Sequence, residues 1–233
     1  MKKLGRIAGI LYLIIIVCGI FSEGFVRSTL VIPGDAQSTV GNIQNAELLF
    51  RFGFVSDLVM VTADIFIAIV FFQMLKPVHK SLSVTAMVFR FAQAFIIAIN
   101  LLHHFAVILI LNSKELNSVF TPDQLSGLTM FFLQTHNYGY LLSGVFFGVS
   151  CIILSYLIRH SAWFPSIFGV LIGLAGLLYV ADSFTQFLFP ELSLITELLV
   201  IAGALIAEVS FAIWLTVKGA VMVQKSIKKA TDF

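Results

Sequence analysis

The stretch "VTAMVFRFAQAFIIAINLLHHFAVILIL", residues 84–111, decides the fold. Apart from Arg90 and the pair His103 and His104 it has no ionisable side chain. As a helix it would reach about 42 Å at 1.5 Å per residue, whereas about 20 apolar residues suffice to cross a hydrocarbon core of roughly 30 Å. Five more runs of this kind fall at roughly 7–27, 52–75, 126–158, 163–188 and 195–217. Composition agrees with that reading. Of 233 residues, 59% are hydrophobic and 11% charged, and the mean hydropathy is +1.03, where a soluble domain keeps about a quarter of its residues charged. The expected fold is therefore all-α: a polytopic membrane helical bundle of six transmembrane helices, forming a single integral membrane domain over 1–233.

The placement of positive charge predicts the orientation. Lys2, Lys3, Arg6, Lys76, Lys80, Arg159, Lys218, Lys225, Lys228 and Lys229 fall at the termini or in the second and fourth connections, while Arg27, Arg51 and Lys114 fall at the others. Lysine and arginine are retained on the cytoplasmic side. Both termini are thus expected in the cytoplasm and the protein in the cell inner (plasma) membrane. The Lys225–Lys229 run is orientation charge after a final span, so no nucleic-acid partner is inferred. "MKKLGR" begins like a signal peptide, but no small-residue cleavage pattern follows before Glu23, and the first span is expected to stay as an anchor.

Local signals refine the outline. After the Pro33-Gly34 turn, Asp35 can cap a short interfacial helix between spans one and two, expected to run through Ile43, Leu48 and Leu49 toward the second span. "TPDQ" at 121–124 is a capping box with proline at the first helical position, opening a fourth span long enough to project beyond the bilayer core. Gly144 and Gly148 on the fourth span, and Gly169, Gly173 and Gly176 on the fifth, form small-residue faces for close helix packing. Cys18 and Cys151 lie in separate apolar spans and read as packing thiols. There is no phosphate loop, G-x-S-x-G elbow, H-E-x-x-H or C-x-x-C, which excludes nucleotide-driven and dithiol chemistry of the familiar kinds.

Ionisable groups in hydrocarbon cost about 2.5–3.5 kcal/mol each on insertion scales, so each needs a partner, a cavity or a function. Running the spans in their expected directions places Glu23, Asp57, Asn100, His103, His104, His136, Asp182 and Glu197 in the outer half, with Arg27 and Arg51 at its rim. At about 100° per residue, Arg90, Gln93, Asn100 and His104 share an arc of about 80°, while His103 points about 100° away from His104. Asp57 and Asp64 share a face, as do His136, Tyr140 and Ser143; Tyr179, Asp182 and Gln186; and Glu197 and Glu208.

Three arrangements of these groups compete. One is a pocket for a small-molecule or lipid ligand, with Arg27 and Arg51 holding a carboxylate or phosphate; its candidate residues are Glu23, Arg27, Arg51, Asp57, Asn100, His104, His136, Tyr140 and Asp182. A second is a metal site from His104, His136, Asp57 and Asp182, a set that suits zinc and would serve a metal-dependent intramembrane lipid hydrolase. In the third, Glu23 pairs with Arg27, Asp57 or Asp182 pairs with Arg51, and the histidines donate to backbone carbonyls. Haem would need His104 and His136 on facing helices at matched depth, and nothing else in the sequence supports it. Asp64 and Glu208 near mid-membrane are a thin basis for an ion path. Binding or sensing of a ligand in an outward-facing polar pocket is the leading expectation, ahead of the hydrolase and of a small transporter or structural membrane protein. Membrane lipids are the expected surroundings.

The strings "AGILYLIIIVCGIFSEGFVRS" (8–28), "IPGDA" (32–36), "LFRFGFVSDLVM" (49–60), "LKPVHKSLS" (75–83), "FRFAQAFIIAINLL" (89–102) and "LYVADSFTQFL" (178–188) together carry a resemblance. The chain resembles a bacterial family of small six-span membrane proteins known as a domain of unknown function (DUF 4386). The resemblance implies an integral membrane protein with Glu23, Arg27, Arg51, Asp57 and Asp182 at family-typical polar positions. It implies no particular activity.

Overall fold

The computed structural model describes residues 1–222, and every regular element within them is helical. Lys225, Lys228 and Lys229, counted above toward orientation, lie outside the described residues. Six helices are long and apolar enough to cross a membrane: Lys2–Leu30, Glu47–Leu75, Lys80–Asn112, Pro122–His160, Ser166–Leu188 and Pro190–Lys218. Five of them contain the corresponding apolar run and extend past it at one end or both, because helix persists into the polar flanks until a cap or a proline stops it, whereas the fifth begins at Ser166, after Pro165, and not at 163 as expected.

The stops are local chemistry. The Thr121 hydroxyl accepts from the Gln124 amide at 3.3 Å while the Gln124 side chain accepts from the Thr121 amide at 2.9 Å, so the capping box that opens the fourth span forms in full. His79 Nδ1 accepts from the Leu82 amide and starts the third span just after Pro77. Gly34 has φ +80°, a left-handed turn conformation that a residue with a Cβ rarely adopts. The helix after it spans Ala36–Asn45 and is capped by Asp35, whose carboxylate accepts from the Ser38 amide at 2.9 Å and the Ser38 hydroxyl at 2.6 Å. Those two bonds hold the Asp35 carboxyl below its ordinary pKa, the hydroxyl bond contributing more. The helix does not run on through Leu48 and Leu49 as expected. Ala46 breaks it at φ −128°, ψ 37°, and both leucines belong to the second span.

The six spans form a ring in chain order, each packed on the next, and the sixth closes on the first. Gly5 lies against Ala220 and Gly9 against Thr216, so the two ends of the described chain meet at one end of the bundle. Spans four and five approach backbone to backbone at the expected glycines. A Cβ on Gly148 would lie 2.6 Å from the Gly176 carbonyl oxygen, and one on Gly176 would lie 2.7 Å from that of Gly148. The half of the ring nearest the termini is filled by a plug to which all six spans contribute, including Tyr12, Phe71, Ala86, Leu157, Ile172 and Phe211. Phe71 and Phe211 stack within it at 6.1 Å, and Tyr12 meets both edge-on. The outward faces carry exposed Val17, Phe66, Phe95, Ile99, Leu177 and Ile206, an apolar surface suited to lipid. Both cysteines are free.

Candidate functional site

A ring of six helices leaves room along its axis, and the buried polar residues line or flank that room. At its floor, next to the aromatic plug, Arg90 of the third span is 1% exposed and binds Asp64 of the second through Nε at 2.9 Å and Nη2 at 2.5 Å. Gln93 adds a bond to the other carboxylate oxygen at 3.3 Å. The rings of Phe147 and Tyr12 lie 4.9 Å and 5.5 Å from the guanidinium carbon, supplying electron-rich faces to a cation in a dry setting. On the sixth span Glu208 accepts from the Tyr179 hydroxyl at 3.1 Å.

Farther from the termini the first span widens into π-helical turns over Ile20–Arg27. Such turns add a residue to the helical register and re-aim the side chains around them. Here they bring Arg27 inward. Its Nη1 binds Asp57 of the second span at 2.6 Å, its Nε binds Glu23 at 2.7 Å, and its Nη2 binds the Ser22 hydroxyl at 3.3 Å. Arg27 also lies 5.3 Å from the centroid of the Tyr140 ring. Leu205–Val209, which contains Glu208, is the second π-helical stretch among the described residues.

Behind Arg27 the third and fourth spans are clasped together. Asn100 Nδ2 donates to the His136 carbonyl at 2.7 Å and His136 Nδ1 donates to the Asn100 carbonyl at 3.2 Å. Gly139 makes the clasp possible, because any Cβ there would collide with the Asn100 side chain. His103, as its helical position predicted, points away and donates through Nδ1 to Asn100 Oδ1 at 3.0 Å. His104 is fully buried, stacks on Phe50 at 4.0 Å and donates through Nε2 to the Phe50 carbonyl at 3.1 Å. His104 and His136 meet edge to face at 5.5 Å.

These groups border a cavity of about 400 Å³ that runs from Asp64 and Arg90 toward the end of the bundle opposite the termini. Of the expected site residues, Glu23, Arg27, Tyr140 and Asp182 line it. Asp57, Asn100, His104 and His136 form a second layer behind Arg27 and Tyr140. Arg51 takes no part: it is half-exposed and paired with Glu47 at 2.6 Å, one turn back on its own helix. The expected partnership of Asp57 or Asp182 with Arg51 is therefore replaced by Arg27 with Asp57, and the expected anion clamp of Arg27 and Arg51 does not form. The reason is geometric. Positions 51 and 57 differ by six residues, which on a helix separates their directions by about 120°. Asp182 is likewise set apart from the histidines, held by Gln186 Nε2 at 3.0 Å.

The cavity also has groups that the sequence reading did not assign to a site: Asp64, Arg90, Gln93 and Glu197. Arg90 and Gln93 were legible as members of the polar stripe, and Asp64 shares the face of Asp57. Their mutual pairing depends on the depth at which spans two and three meet, which one sequence does not state. Charge bookkeeping inside the cavity is informative. Both lining arginines are already neutralised by carboxylates, whereas Asp182 has only an amide partner and Glu197 has no ionic partner among the described residues.

Comparison with known proteins bears on family and leaves activity open. An uncharacterized protein of Archaeoglobus fulgidus is 25% identical over 164 residues, covering 69% of this chain and 79% of its own. No solved structure matches. A family model described as "Domain of unknown function (DUF4386)" matches residues 7–219, and with six membrane-length helices closed around a polar interior the chain belongs to that family.

Proposed function

We propose that the protein binds a small or lipidic ligand in the central cavity and that the ligand presents a cationic amine to Asp182 and Glu197. The observation that carries this reading is the imbalance of charge in the cavity: each of its arginines is paired with a carboxylate, while two acids have no cation among the described residues. A carboxylate as buried as that of Asp182 attracts an ammonium group more strongly than it would in water. The apolar wall of Ile15, Met60, Ile97, Leu141 and Val200 would receive a hydrocarbon portion. With positive charge marking the cytoplasmic side, both termini lie in the cytoplasm and the cavity faces outward across the plasma membrane.

The test is lipid retention by the purified protein. In bilayers mixing phosphatidylethanolamine with phosphatidylglycerol, native mass spectrometry should find the amine lipid retained, and Asp182→Asn combined with Glu197→Gln should release it. Equal retention of both lipids, or retention unaffected by the double change, would refute the reading.

A further inference from the structure

The second polar layer, behind Arg27 and Tyr140, has a property that ligand binding in the cavity does not use. Four polar atoms in it or bordering it are buried without a hydrogen-bond partner: Asp57 Oδ1, His104 Nδ1, His136 Nε2 and the Tyr140 hydroxyl. Orphaned polar atoms inside a folded chain are uncommon, and each demands a reason. Three of them belong to residues that converge, with one ligand atom each from Asp57, His104 and His136 all within 4.8 Å of one another.

The histidines are prepared for a ligand role. A backbone carbonyl can only accept, so the bond to Phe50 places the proton of His104 on Nε2 and the bond to Asn100 places that of His136 on Nδ1. Each ring then turns a bare lone pair, Nδ1 of His104 and Nε2 of His136, away from its carbonyl partner. This is the outer-shell arrangement that fixes tautomer and ring direction in metal-bound histidines. Asp57 has the matching form. Its Oδ2 is engaged by Arg27 at 2.6 Å, and its Oδ1 is left free.

We propose that Asp57 Oδ1, His104 Nδ1 and His136 Nε2 form a binding site for a first-row divalent cation of the zinc class. Two neutral imidazoles and one carboxylate are the donor set such ions prefer, and hard calcium or magnesium would want oxygens instead. Bonds of about 2.0–2.1 Å in a tetrahedron set donor atoms about 3.3 Å apart, so the three side chains need close by at most about 1.5 Å from their 4.8 Å limit. Charge permits it. Arg27, Asp57 and Glu23 sum to −1, which a divalent ion carrying one hydroxide brings to zero. The Tyr140 hydroxyl is also buried without a hydrogen-bond partner, its ring 5.1 Å from that of His136. Asp182, which the sequence offered as another metal ligand, is outside the set.

The experiment is metal analysis of the full chain purified in detergent without a metal-affinity step, followed by stripping and titration with Co(II). The expected result is about one equivalent of metal per chain and the visible bands of low-symmetry Co(II). His136→Gln and Asp57→Asn should each weaken Co(II) affinity by more than about 100-fold, since even an outer-shell change costs 10–100-fold. Asp182→Asn should leave both stoichiometry and spectrum intact. Asn100→Ala, which spares all three ligands and keeps the backbone carbonyl that orients the His136 ring, should weaken binding by less than about 10-fold. A wild-type protein that neither retains metal nor develops Co(II) bands overturns the proposal, as does metal retained unchanged in folded His136→Gln. The readout is independent of lipid retention, so either reading can fail alone.

Discussion

Replacing Asp64 by alanine should be among the most damaging single changes in the membrane domain. Asp64 and Arg90 are 2% and 1% exposed, and the change would delete both ionic hydrogen bonds of Arg90 and the one from Gln93. Removing one member of a buried pair leaves the other charge uncompensated, at a cost of about 3–5 kcal/mol. The faces of Phe147 and Tyr12 remain to stabilise the guanidinium, each contributing about 0.5–2 kcal/mol, which places the expected loss near 3 kcal/mol. For a chain of this length the melting temperature would fall by about 6–12 °C at 2–4 °C per kcal/mol. The assay is thermal unfolding in detergent for wild type, Asp64→Ala, Arg90→Met and the double variant Asp64→Leu with Arg90→Met. Replacing the whole pair by apolar groups is close to neutral in comparable sites, so the double variant should recover most of the loss. A single-variant cost under about 1 kcal/mol, or a double variant as unstable as the two single costs added together, would refute the account of a mutually compensating pair.

Two further outcomes follow from the packing and from the caps. Gly176→Val should destabilise by about 1–3 kcal/mol through collision with the Gly148 backbone, whereas Gly144→Ala should cost less, since its added carbon meets only the rotatable Ser183 hydroxyl; thermal melts compare the two. The short helix Ala36–Asn45 should lose amide-exchange protection on acidification. The folded-state pKa of Asp35 is depressed, so its cap is fully present above the unfolded value of about 3.9 and is lost as pH falls through the folded value. Asp35→Asn, which keeps an N-cap but cannot titrate, should abolish that dependence, and mass-spectrometric exchange of the 36–45 peptide measures it.

Much of this molecule is legible in one sequence because the bilayer constrains it. The six spans follow from apolar length, and the capping box at Thr121 and the glycine crossing at Gly148 and Gly176 follow from short-range rules that the fold obeys. Helical arithmetic found the stripe of Arg90, Gln93, Asn100 and His104 and separated His103 from it, and all four stripe residues are buried. The same arithmetic carries enough information to exclude Arg51 as a partner for Asp57. What it lacks is relative depth and rotation between spans. The π-helical turns over Ile20–Arg27 shift the phase of the first span, so Arg27 reaches Asp57 and fills the role expected of Arg51. The cavity itself depends on the ring closing, a property of six helices together that no single periodicity contains.

The order of that ring has a consequence for biogenesis. Because each span packs chiefly on its sequence neighbour, a nascent chain can dock every helix onto the one that left the ribosome just before it, with short loop closures throughout. The exception is the seam where Gly5 and Gly9 meet Ala220 and Thr216, which must wait for synthesis of the sixth span. Asp57, His104 and His136, together with Arg27, come from the first four spans, so that polar cluster is complete while the chain is still growing. The cavity is enclosed last, when the zipper of helices is buttoned along the first and sixth, and until then Asp182 and Glu197 have no chamber to face.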